Sequence, residues 1–394
     1  MSKSVDEAQI GEQTEPPVAV RRTRWLLTGY FASQGVIMAT WATRLPAVKE
    51  AVGISPGRLS IALLAASLGM IVMLSVSGRI AERPRGTSRL LVGAVLTLGT
   101  ALVLLGQVRA FGALVAVAVV FGCGQGLLLV PLNAAGVAVQ RRFGKPVMAS
   151  LHASYSIGAV GAAGAATATA RFSHTIVFTV VGATVIIAAL VTAPATLSLA
   201  EADTPTSVPD STSRRRGMVW LLGVMVAAGL ITEGTALDWS AVHVRSLGVS
   251  ATTAAAAYFA YGIGMAMGRL TGDALTVRLG PPRLLRTGAL VAAVGLGAGL
   301  AASSTAIAAP AALIGWAVLG VGLSPIVPLL YTTAGTYGPR AVASVSTIGN
   351  IGLLAGPAAV GGIATAASLT LALTVPVVLA AALALASRTV AVLR

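Results

Sequence analysis

Twelve apolar runs, each close to the roughly 20 residues that a helix needs to cross a bilayer, dominate this sequence. They fall near 25–44, 58–78, 89–106, 112–138, 147–169, 174–197, 218–243, 251–270, 284–303, 306–331, 342–365 and 369–387. A segment in hydrocarbon must satisfy its own backbone N–H and C=O groups, so runs of this kind predict helices. A transmembrane barrel is excluded, because the runs are continuously apolar and do not alternate. Composition agrees: 56% of the residues are hydrophobic and only 10% charged, against about 25% charged in a soluble domain. The expected fold is an all-α membrane protein of twelve transmembrane helices. The 45 glycines let such helices approach closely.

The net charge of +15 would suggest a nucleic-acid partner in a soluble chain. Here its distribution matters more, and no nucleic-acid role is expected. With the first residues placed in the cytoplasm, 27 Lys and Arg are divided very unevenly. All but Arg44, Lys49, Arg58, Arg109, Arg171 and Arg245 fall in segments on the inner side. That bias predicts both termini inside, by the positive-inside rule. Residues 1–24 read as a flexible cytoplasmic tail carrying Asp6, Glu7, Glu12 and Glu15, without the basic start and short apolar core of a signal peptide. Residues 199–217 are rich in Pro, Ser and Thr and end in Arg214, Arg215 and Arg216. They read as a cytoplasmic linker between six-helix bundles at 25–198 and 218–394. The lone Cys123 leaves no intrachain disulfide and no cysteine-based metal cluster.

The halves repeat each other. GRIAERPRGTSRLL at 78–91 answers to GRLTGDALTVRLGPPRLL at 268–285. ASLHASYSIG at 149–158 answers to ASVSTIGNIG at 343–352, and Gln34-Gly35 with Trp41 to Glu233-Gly234 with Trp239. The constant order and nearly constant offset predict two pseudo-symmetric halves with a substrate site between them. On these segments the chain resembles the major facilitator superfamily of transporters. The segment after the second helix of each half carries Gly78, Arg79, Glu82 and Arg83, and then Gly268, Arg269, Asp273, Arg278 and Gly280. These match the superfamily's signature loops, which the resemblance implies act in gating. Glu82 stands where the family usually has Asp, and Pro84 and Gly86 shorten that loop. Stretches such as ATWATRLPAVKEAVGIS (39–55), EGTALDWSAV (233–242) and GNIGLLAGP (349–357) are similar to the bacterial inner-membrane YbjJ-like subgroup.

Of the acids, only Glu233 and Asp238 lie inside an apolar run, the seventh. A charge at a helix centre costs roughly 2.5–3.5 kcal/mol on insertion scales, so an intramembrane acid marks a functional site by default. Glu233 comes about 22 Å into the run at 1.5 Å per residue, and Asp238 about 7.5 Å further out. The counterpart of Glu233 is the neutral Gln34, so the fold itself does not require the charge. One reading makes Glu233 the proton carrier. The others have it held by an Arg or binding a cationic substrate, and Asp238 paired with Arg44 or Arg245. His152, Tyr155 and Ser156 share one helix face. His152 is a second candidate proton site, since the ordinary imidazole pKa is closest to neutral; its alternative is a hydrogen-bonded histidine near Arg141, Arg142 and Lys145. Gln34, Trp41, Asn133, Trp239 and Tyr331 lie on helices that line the family's cavity. With Tyr155, Ser156, Tyr261 and Asn350 they form the expected substrate cavity, or serve as interhelical hydrogen bonds and interface anchors.

No phosphate-binding Walker loop, zinc-ligand cluster or dinucleotide fingerprint is present, so neither ATP, a metal nor a cofactor is expected and the chain does not read as an enzyme. The expected protein is a monomeric secondary transporter of a small organic solute in the cytoplasmic membrane. It works by alternating access, coupled to protons, with export by antiport ahead of import by symport. An uncoupled facilitator and a non-transporting receptor are the alternatives.

Overall fold

The computed structural model describes residues 17–169, 171–199 and 213–391. The acidic tail residues and most of the 199–217 linker lie outside the described residues. Among these the chain is helical, with no strand. The first half contributes α1 (Val18–Val52), α2 (Pro56–Ala81), α3 (Gly86–Gln107), α4 (Phe111–Phe143), α5 (Met148–Ala168) and α6 (His174–Leu197). The second contributes α7 (Ser213–Ser246), α8 (Ala251–Leu279), α9 (Pro281–Ala301), α10 (Ala308–Leu323), α11 (Ile326–Gly335), α12 (Pro339–Ala366), α13 (Leu369–Ala372) and α14 (Thr374–Ala391). The tenth expected span is thus two helices, α10 and α11, interrupted at Ser324-Pro325, and the twelfth is α13 followed by α14.

A proline stands at the first interruption. Pro325 has no N–H to give, and its ring opposes a continued helix. The helices overrun the apolar runs where nothing stops them. The α1 helix starts at Val18, ahead of the apolar run, because AVRRTR contains no breaker. Likewise α8 continues to Leu279, ending only at Gly280, whose φ of 76° is left-handed and suits glycine. On the opposite face, Ser55, Ser173 and Ser250 cap α2, α6 and α8 by accepting the N–H of Arg58, Ile176 and Thr253, which satisfies otherwise orphaned donors.

Twelve crossings divide the loops between two faces. The face that carries residues 82–85, 144–147, 280 and 336–338, with the first and last described residues, is called the terminal face below. Each half packs chiefly on itself: α2 on α4, α1 on α5 and α3 on α6, then α7 on α12, α8 on α10 and α9 on α10 and α14. Glycine sets the closeness. A Cβ at Gly122 would land on the backbone of Ala66, and one at Gly126 on that of Met70. The halves meet chiefly along two pairs that the pseudo-symmetry exchanges, α2 with α12 and α5 with α8, with smaller contacts of α4 on α11 and α12 and of α5 on α11. Among the described residues nine helical spans, with α10–α11 and α13–α14 each counted as one, are both long and apolar enough to cross a membrane; α1, α5 and α8 fall outside that set. Those three hold most of the polar groups described next.

Candidate functional site

Arg269 is the hub. The signature residues Gly268, Arg269, Asp273 and Arg278 are not in a loop, as expected, but inside α8, and Gly78 and Arg79 are inside α2. Only Glu82, Arg83 and Gly280 sit at turns. The reason is local: helix propensity carries α8 through Gly272 until Gly280. Arg269 therefore lies about 15 Å from the terminal-face end of α8 and is 6% exposed. Its Nη1 donates to Ser156 Oγ on α5 at 2.7 Å. Its Nη2 stands 3.8 Å from Glu233 Oε1 on α7. One guanidinium thus joins a helix of the first half to two of the second. Its Nε has no hydrogen-bond partner among the described residues.

Three tyrosines interact electrostatically with this pair. Tyr155, Tyr261 and Tyr331 are all within electrostatic reach of Glu233, and His152 is within reach of Arg269. The Tyr261 hydroxyl is buried without a partner among the described residues. His152 Nε2 lies 3.2 Å from Asn133 Oδ1 on α4, and its ring is 5.1 Å from that of Phe31. The structure therefore gathers Glu233, Arg269, Ser156, Tyr155, Tyr261, Tyr331 and His152 at the junction of the halves. An unpaired buried charge is costly, and the guanidinium and carboxylate offset each other here.

Other sequence candidates go elsewhere. Asp238 is exposed and forms no ion pair among the described residues; it lies on another side of α7 from Glu233. Its expected partners are engaged: Arg44 Nη2 donates to Ala166 O, Thr169 O and Thr169 Oγ1, and Arg245 donates to Val249 O. Gln34 donates to Gln125 Oε1 at 3.3 Å, and Trp41 stacks on Phe121 at 4.7 Å; both contacts stay within the first half. Trp239 Nε1 is buried without a partner among the described residues, its ring facing Gly361. Asn350 Nδ2 donates to Ser346 O on its own helix.

Just below the Arg269 cluster the halves are sealed. Asp273 Oδ1 and Oδ2 accept the N–H groups of Ala149 and Ser150, each at 3.0 Å. These are orphan donors at the start of α5, where a carboxylate also meets the positive end of the helix dipole. Gly272 faces Ala149, and a Cβ there would come within 2.7 Å of the alanine's. On the symmetry-related side, Glu82 Oε2 forms an ion pair with Arg340 Nε at 2.6 Å, and Gly78 faces Ala343. Arg141 Nη2 donates to Gly335 O at 2.9 Å. Sequence reasoning missed Arg340, Gly272 and Gly335. Charge complementarity to Glu82 points to Arg340 once the halves are docked, whereas nothing local marks the two glycines.

A family model described as Major Facilitator Superfamily matches residues 26–339. An uncharacterized MFS-type transporter of Yersinia pestis is 32% identical over 92% of this chain and 94% of its own length. Membrane protein MosC of Rhizobium meliloti is 26% identical over 87% and 84%. Among solved structures, the Escherichia coli fucose:proton symporter FucP, as a point variant, superposes with a TM-score of 0.76 at 15% identity, covering 93% of this chain and 98% of that one, and FucP in the outward conformation does so with 0.76 at 14%, over 94% and 99%. A human organic anion transporter does so with 0.73 at 14%, over 94% and 100%.

Proposed function

The chain belongs to the Major Facilitator Superfamily, and on that premise we propose that it carries a small organic solute across a bacterial inner membrane, coupled to protons through Glu233. The transporter class and the multi-pass membrane fold follow from the family; the coupling and the site are the proposal. One observation carries it: the Glu233–Arg269 pair sits one helical turn above the residue that seals the halves. Arg269 and Asp273 are i and i+4 on α8, so they share a face, and that face meets Ser156 above and the start of α5 below.

The mechanism follows from that stacking. With Glu233 ionised, Arg269 is held between the carboxylate and Ser156, and α8 stays registered on α5. The halves are then closed at the terminal face, which the positive-inside bias assigns to the cytoplasm. Protonation of Glu233 removes its attraction for Arg269. The guanidinium then needs another acceptor, and substrate oxygens beside Tyr155, Tyr261 and Tyr331 can supply one. Rearrangement of Arg269 loosens the register that lets Asp273 reach the start of α5. The two six-helix halves then rock about the junction. A charge with two alternative partners gives two discrete states, as alternating access requires. Asp238 and His152 have no direct part in this step.

Metabolite profiling inside and outside cells tests it, with the gene deleted, restored, or restored as Glu233→Gln. A compound that builds up inside the deletion strain and is cleared by the native protein identifies an exported substrate. One depleted inside and left in the medium identifies an imported one. In proteoliposomes with that compound, the proposal expects Glu233→Gln to lose gradient-driven accumulation while substrate exchange survives. Loss of both would instead make Glu233 a substrate ligand of a facilitator. Native behaviour would make it structural.

A further inference from the structure

A cavity of about 420 Å³ opens in the first half at the terminal face. Its walls are the start of α1, the turn between α2 and α3 with the start of α3, and the ends of α4 and α6. Arg22, Arg83, Arg85 and Arg142 all line it, and among the described residues no acidic side chain does. Every lining residue lies between Val18 and Leu199. The cavity is therefore separate from the junction where Arg269 and Glu233 stand, and it cannot alternate between the two sides as the substrate site does.

Four guanidinium groups around one cavity repel one another. Arg22, Arg83 and Arg85 form no ion pair with any described residue, in contrast to Arg269 and Arg340. Arg85 holds its place in a left-handed backbone conformation, φ 56°, which a side chain adopts only at some cost. A planar fork of donors matches phosphate oxygens in pairs. The walls beyond the arginines are small and apolar, among them Ala138 and Ala195. The volume falls in the range of about 300–1,000 Å³ usual for small-ligand sites.

We propose that this cavity binds a phosphate-bearing anion. The group can belong to an anionic phospholipid headgroup of the inner leaflet or to a soluble phosphate. Bound there, it ties the turn carrying Arg83 and Arg85 to α1 and α4. The same turn begins with Glu82, which closes the gate on Arg340. The site therefore braces the gate from behind.

Thermal unfolding of the full chain tests this. In neutral detergent, sodium phosphate is titrated against sodium chloride at equal ionic strength. In nanodiscs, pure phosphatidylcholine is compared with phosphatidylcholine containing phosphatidylglycerol. A saturable rise in Tm with phosphate identifies a soluble ligand, and a rise only with phosphatidylglycerol identifies the lipid; either supports the site. Arg22→Gln should weaken the response about tenfold, as expected for loss of a hydrogen bond to a charged group, and adding Arg85→Gln should remove it. Arg171→Gln, on the other face, should leave it unchanged. Because the double variant can fail to fold, phenylglyoxal modification of the native protein is mapped in parallel. Phosphate or phosphatidylglycerol should protect Arg83 and Arg85 and spare Arg171. No rise in Tm in either arm, a rise retained by the double variant, or absence of protection overturns the proposal.

Discussion

The pseudo-symmetry makes the contact between halves twice, and the two versions are chemically different. Where α5 meets α8, Asp273 accepts two backbone N–H groups at the start of α5, and Arg269 is buried above it between Ser156 and Glu233. Where α2 meets α12, Glu82 pairs with Arg340, whose side chain is 69% exposed, and Arg79 is exposed. Glycine faces alanine at both seams, Gly272 with Ala149 and Gly78 with Ala343. The steric seam is thus shared, and the polar part is specialised on one side. A symmetric fold needs only the first; coupling needs a titratable group at one moving seam.

The largest expected effect tests that division directly. Arg269→Gln should abolish gradient-driven transport and destabilise the protein by up to about 3 kcal/mol, since it leaves a carboxylate unpaired in the membrane interior. Its repeat counterpart, Arg79→Gln, should retain transport within about twofold, as substitutions at exposed sites usually do. Flux in proteoliposomes and Tm compare the two. Equal losses would mean that the two seams work alike.

The next effect separates the two acids. Hydrogen bonds to a charged group contribute about 1.5–3 kcal/mol, so Asp273→Ala should shift the balance away from the closed terminal face by about tenfold or more. An exposed ion pair contributes about 0–1 kcal/mol, so Glu82→Ala should shift it by less than about fivefold. Spin labels on cysteines at Arg89 and Arg286, one exposed site per half, in a Cys123→Ser background, report the terminal-face separation. A larger opening with Glu82→Ala would reverse the assignment.

The halves, the membrane class and the acid at 233 were legible in the sequence because each is carried by local contrast. Apolar runs stand out from their basic ends, a repeat shows as recurring strings, and Glu233 is conspicuous in VAAGLITEGTAL. Arg269 was present in the signature but looked like the edge of a loop, since GRLTGDALTVRLG carries charges that end an apolar window. The helix ignores that boundary, because backbone hydrogen bonding and burial against α5 and α7 continue past it. Ser156 becomes the partner of Arg269 only by docking of the two halves, and Glu233 by packing of α7 beside α8 within the second half; no spacing along the sequence records either contact. The same limit explains Arg44. The sequence offered it an acid, Asp238, and the fold gives it the carbonyls at the end of α5. Pro325 was visible, yet Pro131 sits inside an unbroken α4, so proline alone did not decide where a helix would be interrupted.

The steric seam gives a smaller and more even effect. Gly272→Val and Gly78→Val each force side-chain atoms into a contact already filled by alanine, and overpacking of this kind costs about 1–3 kcal/mol. Both should open the terminal face by similar amounts in the same spin-label assay, unlike the acids. A wedge that acts at one seam only would show that the halves do not rock as rigid bodies about a shared junction.

The smallest effect concerns salt. The Debye length falls from about 10 Å at 0.1 M to about 3 Å at 1 M, and an exposed pair loses most of its attraction over that range. The Glu82–Arg340 seam should therefore weaken with salt, whereas Asp273 is bonded to fixed backbone donors and Arg269 is buried. In the native protein the spin-label distance should lengthen only slightly at 1 M. In Glu82→Ala the salt response should vanish, because the screened pair is already gone. In Asp273→Ala it should grow, because the closed face then depends on the exposed pair. A salt response that persists in Glu82→Ala would place the screened contact elsewhere, with Arg141 and the Gly335 carbonyl as the next seam to examine.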